Sequence, residues 1–332
     1  MILFNGRSHV DECFGTLLQQ SRQADEILAI DNGSVDGCLD LVKARFSTVR
    51  AIRLDSNLGY AGGCNRAARE ATSDLVVFLN QDVRLDPNWL SELIRPLESD
   101  ASVIASQSMV LLYDEPALVN TSSTAVNFLG IAWVSDYRRP AGEVRSHDIP
   151  FLSGAAFAIR RQAFLAIGGF DSGYGSYHED VDLSWRMRLT RQRIVLAADS
   201  RVYHKYKFTG SGTKNYLLER NRVATLLKNY RGLSLWLMSP ALLFTEAGVC
   251  LLALSQGWLD LKVKSYRDLY RMRQQILEGR RQAQRLRQAP DREIARALLG
   301  GIHFEEVNRG LVRLGSAVLA AYWWVARRLI AW

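Results

Sequence analysis

Residues 178–186 read HEDVDLSWR. Glu179, Asp180 and Asp182 fall in what reads as the first turn of a helix, VDLSWRMRL, fed by a glycine-rich loop from Gly168 to Gly175. Acids favour helix N-termini because the aligned peptide dipoles leave partial positive charge there. That accounts for one or two acids, but not for a dense cluster behind a flexible loop. A carboxylate kept ionised by helix amides can take a proton from a hydroxyl, and an adjacent acid keeps its basicity up by like-charge repulsion. Asp180, with Glu179 beside it, is therefore the candidate general base. Trp185 and Arg186 follow one turn on as candidate contacts to an acceptor or a phosphate; Arg186 reads equally well as a surface ion pair.

A second chemistry is signalled by Asp82 and His204. Asp82 follows the apolar run LVVFL within Asn80-Gln81-Asp82, and His204 lies in VYHKY. A carboxylate at a strand end suits a divalent ion that also grips phosphates, and neutral imidazole is a good divalent ligand. A turn Asp and a structural His remain the alternatives. Two further polar clusters share this placement. Asp31-Asn32-Gly33-Ser34 follows EILAI and could accept hydrogen bonds from a base or ribose, or simply cap a helix through Ser34 or Asp36. Asp55-Ser56-Asn57-Leu58-Gly59 follows AIRL, and Gly62 with its neighbours would let backbone approach an anion closely.

These residues need elements to hold them. The first 110 residues alternate strand-like runs (EILAI, AIRL, LVVFL) with helix-like ones (DGCLDLVKARF, AGGCNRAAREA, PNWLSELIRPL). Such alternation predicts an α/β domain with a mostly parallel sheet and ligands beyond the strands' carboxyl ends. Residues 112–150 read as an irregular insertion, FLSGAAFAIRR as a strand along the cleft floor, and IVLAA and VYHKY as two closing strands. From about Asn215 the pattern becomes helical, so two regions are expected, 1–214 and 215–332.

The chain has 332 residues and a formal net charge of +8. Nine basic residues against Asp268 and Glu278 lie between Lys262 and Arg287, so the excess is local. Only Tyr266 and Tyr270 interleave them, too few aromatics for a base-stacking surface, and nucleic acid is not the expected partner. Cys13, Cys38, Cys64 and Cys250 form no CxxC pair and read as free thiols of a reducing compartment. No secretory signal is visible, and the first strand, MILFN, looks short. The run from Leu233 to Leu254 is long enough to span a bilayer. Pro240, Glu246 and basic residues on both flanks argue instead for helices lying in an anionic headgroup layer.

DNGSVDG, NLGYAGGCNRA, LNQDVRLDP, FLSGAAFAIRR, GGFD and HEDVDLSWR resemble, in order and spacing, the motifs of family 2 glycosyltransferases, most of all the bacterial rhamnosyltransferase-like branch. The resemblance covers residues 2 to about 230. It implies a GT-A fold, a Rossmann-like mixed sheet flanked by helices that binds a nucleotide sugar; the residues after it read, from their own pattern, as a C-terminal helical, membrane-associating extension. It also implies a dTDP- or UDP-sugar donor, Mg²⁺ or Mn²⁺, inversion at the anomeric carbon and a lipid-linked glycan acceptor. The setting would be the inner face of a bacterial plasma membrane. By resemblance Asp31 holds the base, Asn5, Asn57, Gly62, Asn65 and Gln81 line the nucleotide-sugar pocket, Asp82 binds the metal and Asp180 is the base. The sequence departs from the family at Asn80, where Asp-x-Asp is usual, which makes His204 the attractive second ligand. It also departs at Leu3, where Thr is usual.

Overall fold

A computed structural model describes residues 1–205, 212–302 and 310–332. In chain order the elements are β1 (Ile2–Leu3), α1 (Val10–Leu18), β2 (Leu28–Asp31), α2 (Cys38–Arg45), β3 (Arg50–Arg53), α3 (Gly59–Glu70), β4 (Leu75–Leu79), β5 (Val83–Leu85) and α4 (Trp89–Ser99). They continue as β6 (Val103–Leu112), β7 (Val119–Thr121), β8 (Thr124–Val126), β9 (Ala132–Val134), β10 (His147–Asp148), β11 (Ala156–Arg160), α5 (Arg161–Ala166), α6 (Glu179–Leu189) and β12 (Arg193–His204). The remaining helices are α7 (Gly212–Asn229), α8 (Gly232–Ser255), α9 (Leu259–Arg271), α10 (Arg273–Leu286), α11 (Asp291–Ala295) and α12 (Gly310–Leu329).

Strands β1, β2 and β3 form a parallel ladder in that order. A larger mixed sheet runs β10-β12-β6-β11-β4, with β5 on β12 and β7 on β6. Within it β12 and β6 are parallel, while β11 is antiparallel to both β4 and β6. The mostly parallel arrangement expected from the alternation thus holds for β1–β3 and for the β6–β12 pair, and the larger sheet is otherwise antiparallel. The reason is that β11 arrives as a return strand and takes the place beside β4. Among the described residues β1 and β4 share no ladder, and a cavity of about 490 Å³ lies between them, lined by Met1, Ile27, Leu75 and Val77. Part of the 112–150 segment forms the short strands β7 to β10, and IVLAA and VYHKY are one bulged strand, β12.

Two compact units divide the chain, and they interleave. The first comprises residues 1–124, 134–183 and 192–208; the second comprises 125–133, 184–191 and 209–332. The division therefore does not fall at one point near residue 214. In the first unit, α1 and α2 bury Val10, Phe14, Leu39 and Val42 against the small ladder. On the larger sheet lies α4, whose Leu90, Leu93, Ile94 and Leu97 recur at helical spacing and are all buried. In the second unit, α7, α8 and α9 share a charged knot: Glu219 and Glu246 accept from both Arg222 and Lys262. Helix α8 is long and apolar enough to cross a membrane, yet only 22% of its apolar window is buried.

A ring of hydrogen bonds joins α4, β6 and β12. The Trp89 indole N–H donates to Ser108 Oγ at 2.8 Å, Ser108 Oγ and Ser200 Oγ lie 3.0 Å apart, and Ser200 Oγ donates to the Trp89 carbonyl at 3.0 Å. All three residues are buried. Replacing Ser108 with Ala strands the indole N–H, which costs about 1–3 kcal/mol for a buried donor left unpaired. Urea unfolding should show a lower midpoint at unchanged m.

Candidate active site

The carboxyl end of β1 organises the loops on one side of the first unit. Asn5 adopts a left-handed conformation, φ 47°. Its amide donates to Ser34 Oγ at 3.1 Å and its side-chain oxygen accepts from Val35 N at 2.9 Å. Asp31 is buried; Oδ1 accepts from Ser34 N at 2.9 Å and Oδ2 faces Arg53 Nε at 3.3 Å across the β2–β3 pair. The capping reading holds for Asp36, which accepts from Cys38 N at 3.0 Å and from Arg7 N at 2.8 Å. Gln81 forms a two-way bridge to the Phe4 backbone, Phe4 N to Oε1 at 3.1 Å and Nε2 to Phe4 O at 3.0 Å. Its carboxamide joins the two loops.

The next loop carries a residue the motif reading passed over. Asn32 is buried; its Nδ2 donates to Asn57 Oδ1 and to Gly59 O, both at 3.0 Å, and its Oδ1 accepts from Leu58 N at 2.8 Å. Its neighbour Asp31 drew attention by charge, whereas an Asn after a strand has no distinguishing signal. Asn57 is exposed and its Oδ1 is shared between Asn32 and Gly59 N. Gly59 has φ +70°, and a Cβ there would lie 2.6 Å from Gly175 Cα; Ala61 N donates to Gly175 O at 2.9 Å. Gly62 makes room for Leu58, whose Cβ a Gly62 side chain would meet at 2.7 Å. Its smallness serves this packing. Asn65 is buried; it donates to Phe170 O at 2.7 Å and Ser172 Oγ at 3.1 Å, and accepts from Phe170 N at 2.9 Å. It clamps the glycine-rich loop.

Asp82 and His204 do come together. The antiparallel pairing of β5 with β12 sets His204 opposite Val83, and Lys205 N donates to Asp82 O at 3.0 Å. His204 Nε2 then lies 3.3 Å from Asp82 Oδ1. Burial works to raise the Asp82 carboxyl's pKa, but the His204 hydrogen bond and charge outweigh it and hold the group below the ordinary value. Among the described residues no cluster of three or more His, Cys, Asp or Glu side chains forms around a metal position. A carboxylate oxygen and an imidazole nitrogen at this separation fit neighbouring corners of a divalent ion's shell. Such ions commonly take one or two protein donors and fill the rest with phosphate oxygens and water.

The acid pair sits at the start of α6. Tyr177 and His178, just before it, both have positive φ, 66° and 69°. Non-glycine residues held there cost of order 1–3 kcal/mol each and persist where surroundings over-determine them. The strained entry turns Asp180 onto two amides: Gly154 N donates to Oδ2 at 3.0 Å and Val181 N to Oδ1 at 2.8 Å. Tyr60 OH donates to Gly154 O at 2.9 Å and fixes that residue from its other side. Glu179 is buried, and its Oε2 has no hydrogen-bond partner among the described residues. Burial, reinforced by the Asp180 charge, pushes Glu179 up to about 8. Burial also raises Asp180, against the pull of its two amide donors. Both carboxyls are thus pushed above their ordinary values, Glu179 by burial and the Asp180 charge, Asp180 by burial against its amide donors.

Trp185 and Arg186 belong to the second unit and are buried there. Trp185 meets the Tyr230 ring edge-on at 5.0 Å. Trp185, expected with Arg186 to contact an acceptor or a phosphate, is a large side chain filling the interior beside α6. Arg7 spends its amide on Asp36 and its Nη1 on Gly37 O at 3.0 Å.

Residues 1–168 match the sequence profile of "Glycosyl transferase family 2". The chain is 27% identical over 252 residues to an N-acetylglucosaminyl-diphospho-decaprenol L-rhamnosyltransferase of Mycobacterium tuberculosis, covering 67% of this chain and 80% of that one. It is 25% identical over 207 residues to the O-antigen chain rhamnosyltransferase WbaN of Salmonella anatum, covering 61% and 64% respectively. Its fold superposes on that of GalNAc-T7, solved with UDP, GalNAc and Mn²⁺, with a TM-score of 0.60 at 17% identity, over 72% of this chain and 49% of that one. The mixed sheet flanked by helices is thus a GT-A fold with a C-terminal helical extension, and the chain belongs to glycosyl transferase family 2 as a rhamnosyltransferase-like glycosyltransferase.

Proposed function

We propose that the chain is a metal-dependent inverting glycosyltransferase that moves a sugar, rhamnose in the first instance, from a dTDP- or UDP-linked donor to a hydroxyl of a lipid-linked glycan at the cytoplasmic face of a membrane. The observation that carries the reading is the acid pair: one carboxylate oriented by two amides beside a second that is buried and neutral. Names of relatives support the sugar and the lipid acceptor.

In this reading Asp180 takes the acceptor's proton as its oxygen attacks the anomeric carbon, and the donor's bond to diphosphate breaks on the opposite face. One base and one displacement invert the centre, whereas retention would need a nucleophilic carboxylate beneath the sugar. Glu179 holds its proton and so leaves Asp180 as the group that bears the charge. Asp82 and His204 would hold Mg²⁺ or Mn²⁺, which supplies positive charge to the departing diphosphate. Asp31, Asn5 and Asn57 wall the nucleotide.

Asp180→Asn keeps shape and removes the proton acceptor. Transfer of radiolabelled sugar to a polyprenyl-diphosphate acceptor should fall in kcat by about 10²–10⁴-fold, with donor Kd from calorimetry little changed. Normal turnover would remove the residue from the chemistry. Asp82→Ala should abolish the thermal stabilisation that nucleoside diphosphate with Mn²⁺ confers on the wild type; an undiminished Mn²⁺-dependent shift would end the metal assignment.

Glu179 also makes a stability prediction with a definite sign. Its folded value, about 8, lies above its unfolded one, 4.5, so between these pH values the native state binds the extra proton. Stability then falls as pH rises through that window. Glu179→Gln removes the titration. Its unfolding midpoint relative to the wild type should climb steadily from pH 5 to about pH 9; a pH-independent difference between the two proteins would mean that Glu179 is ionised in the fold.

A further inference from the structure

Helix α8 wears its amphipathicity reversed. The residues it turns into the second unit are small or weakly apolar: Ser234, Met238, Ala241, Thr245 and Ala253. The residues it turns outward, at helical spacing, are Leu233, Trp236, Leu243, Phe244, Leu251 and Leu254. Trp236 is 77% and Leu243 71% exposed. A helix adapted to water on its outer side would show the opposite pattern. The outward face does not end with α8. Tyr322 of α12 hydrogen-bonds the Leu237 carbonyl and Trp332 donates to Ser234 Oγ at 2.8 Å, which lays α12 beside the first half of α8. Helix α12 adds exposed Leu314, Val318, Trp324 and Val325. The continuous apolar surface exceeds what isolated exposed side chains would explain.

We infer that this face docks the protein in the plane of an anionic bilayer, with α8 and α12 lying in the headgroup–acyl boundary and not crossing it. Charge selects the occupant. Arg231, Lys264, Arg267, Arg271, Arg327 and Arg328 are exposed on or beside α8, α9 and α12, a basic rim to an apolar patch. Arg328 lies over the Trp324 ring at 3.6 Å, a pairing of aromatic anchor and cation suited to the interfacial layer. A second copy seated face to face would bring two such rims together and be repelled. The orientation follows from the charged knot. Glu246, midway along α8, accepts from Lys262 at 2.7 Å and from Arg222, and Lys262 also reaches Glu219 at 2.5 Å. These pairs tie α8 along the sides of α7 and α9. A spanning α8 would carry those helices and their charges into hydrocarbon, whereas an in-plane α8 leaves the knot on the protein side. Docking deepens the proposal of a lipid-linked acceptor and takes its purpose from it, but binding to plain lipid can be measured without acceptor or donor.

The test floats the full-length chain with phosphatidylglycerol–phosphatidylcholine vesicles. Wild type should co-float, less so on pure phosphatidylcholine and less at high salt. Leu243→Glu with Phe244→Glu changes two exposed positions, so circular dichroism and the Mn²⁺–nucleoside diphosphate thermal shift should match the wild type while vesicle binding drops at least about tenfold. Arg267→Glu with Arg271→Glu should lose the preference for anionic lipid and keep residual binding to neutral vesicles. Cell membranes washed with alkaline carbonate should release the protein. Failure of wild type to bind, or equal binding by the Leu243→Glu/Phe244→Glu protein, overturns the docking face. Carbonate resistance overturns the in-plane orientation in favour of spanning. A lipid-free dimer by light scattering that this double variant dissolves assigns the face to a second copy instead. Failed sugar transfer with intact vesicle binding would count against the glycosyltransfer reading alone.

Discussion

The first unit is governed by one constraint: loops at the carboxyl ends of strands must satisfy their own backbone donors and acceptors while leaving a crevice open. Carboxamide side chains meet it. Gln81 pairs with both polar groups of Phe4, Asn32 closes the loop from Asn57 to Gly59, and Asn65 does the same for Phe170. A carboxamide presents a donor and an acceptor side by side, so it can replace a missing strand neighbour. The result is a chain of loops each holding the next, from Asn80–Asp82 through Phe4–Asn5, Asn32–Val35 and Asn57–Ala61 to Gly175. Positions that look like ligands in a list of motifs serve as the frame that keeps the remaining polar groups pointed into the crevice.

What that frame presents is an uneven distribution of charge. Asp82 is held ionised by His204, at the place where the β5–β12 register ends. Glu179 is kept neutral by burial next to Asp180. The two sites differ in what they favour: an anionic donor set for a cation in one, a proton acceptor with a silent neighbour in the other. Tyr177 and His178 bear the conformational cost of the second arrangement. Their strain makes sense only if the surrounding loops hold them, which returns the explanation to the same carboxamide contacts.

Much of this was legible in the sequence, and the failures have common causes. The strand–helix alternation, the order of motifs and the acid cluster at a helix start are all local patterns, and local patterns survive in sequence, whereas Asp82 and His204 meet only through the β5–β12 ladder. The hydrogen bonds of Asn65 and Gln81 and the packing at Gly62 were not legible, because which partner claims a carboxamide depends on contacts with residues such as Phe170, far away in sequence. The burial of Trp185 and Arg186 was hidden for another reason. The stretch EDVDLSWR is one helix, but the chain passes from one compact unit to the other within it. Residues one turn apart therefore have different tasks. The separation of β1–β3 from the larger sheet had no sequence signal, because whether β1 and β4 pair edge to edge depends on tertiary placement and not on either run.

The chain also treats buried carboxylates in two opposite ways, and the comparison explains both. Glu219, beside Arg222 and Lys262, is pulled down to about 2 although burial alone would raise it. Glu179, buried with only another acid for company, rises to about 8. Desolvation acts in the same direction on each, so a neighbouring cation decides the sign. The cations come with rigidity, since Arg222 and Lys262 fix three helices to one another and make Glu246 a fastening within an otherwise apolar helix. The absence of a cation comes with reactivity. A carboxyl that is neutral near physiological pH can exchange protons with its partner, whereas one held at about 2 cannot. The charged knot is therefore suited to holding α8 with its apolar side outward, and the acid pair at the start of α6 to holding a proton near neutral pH.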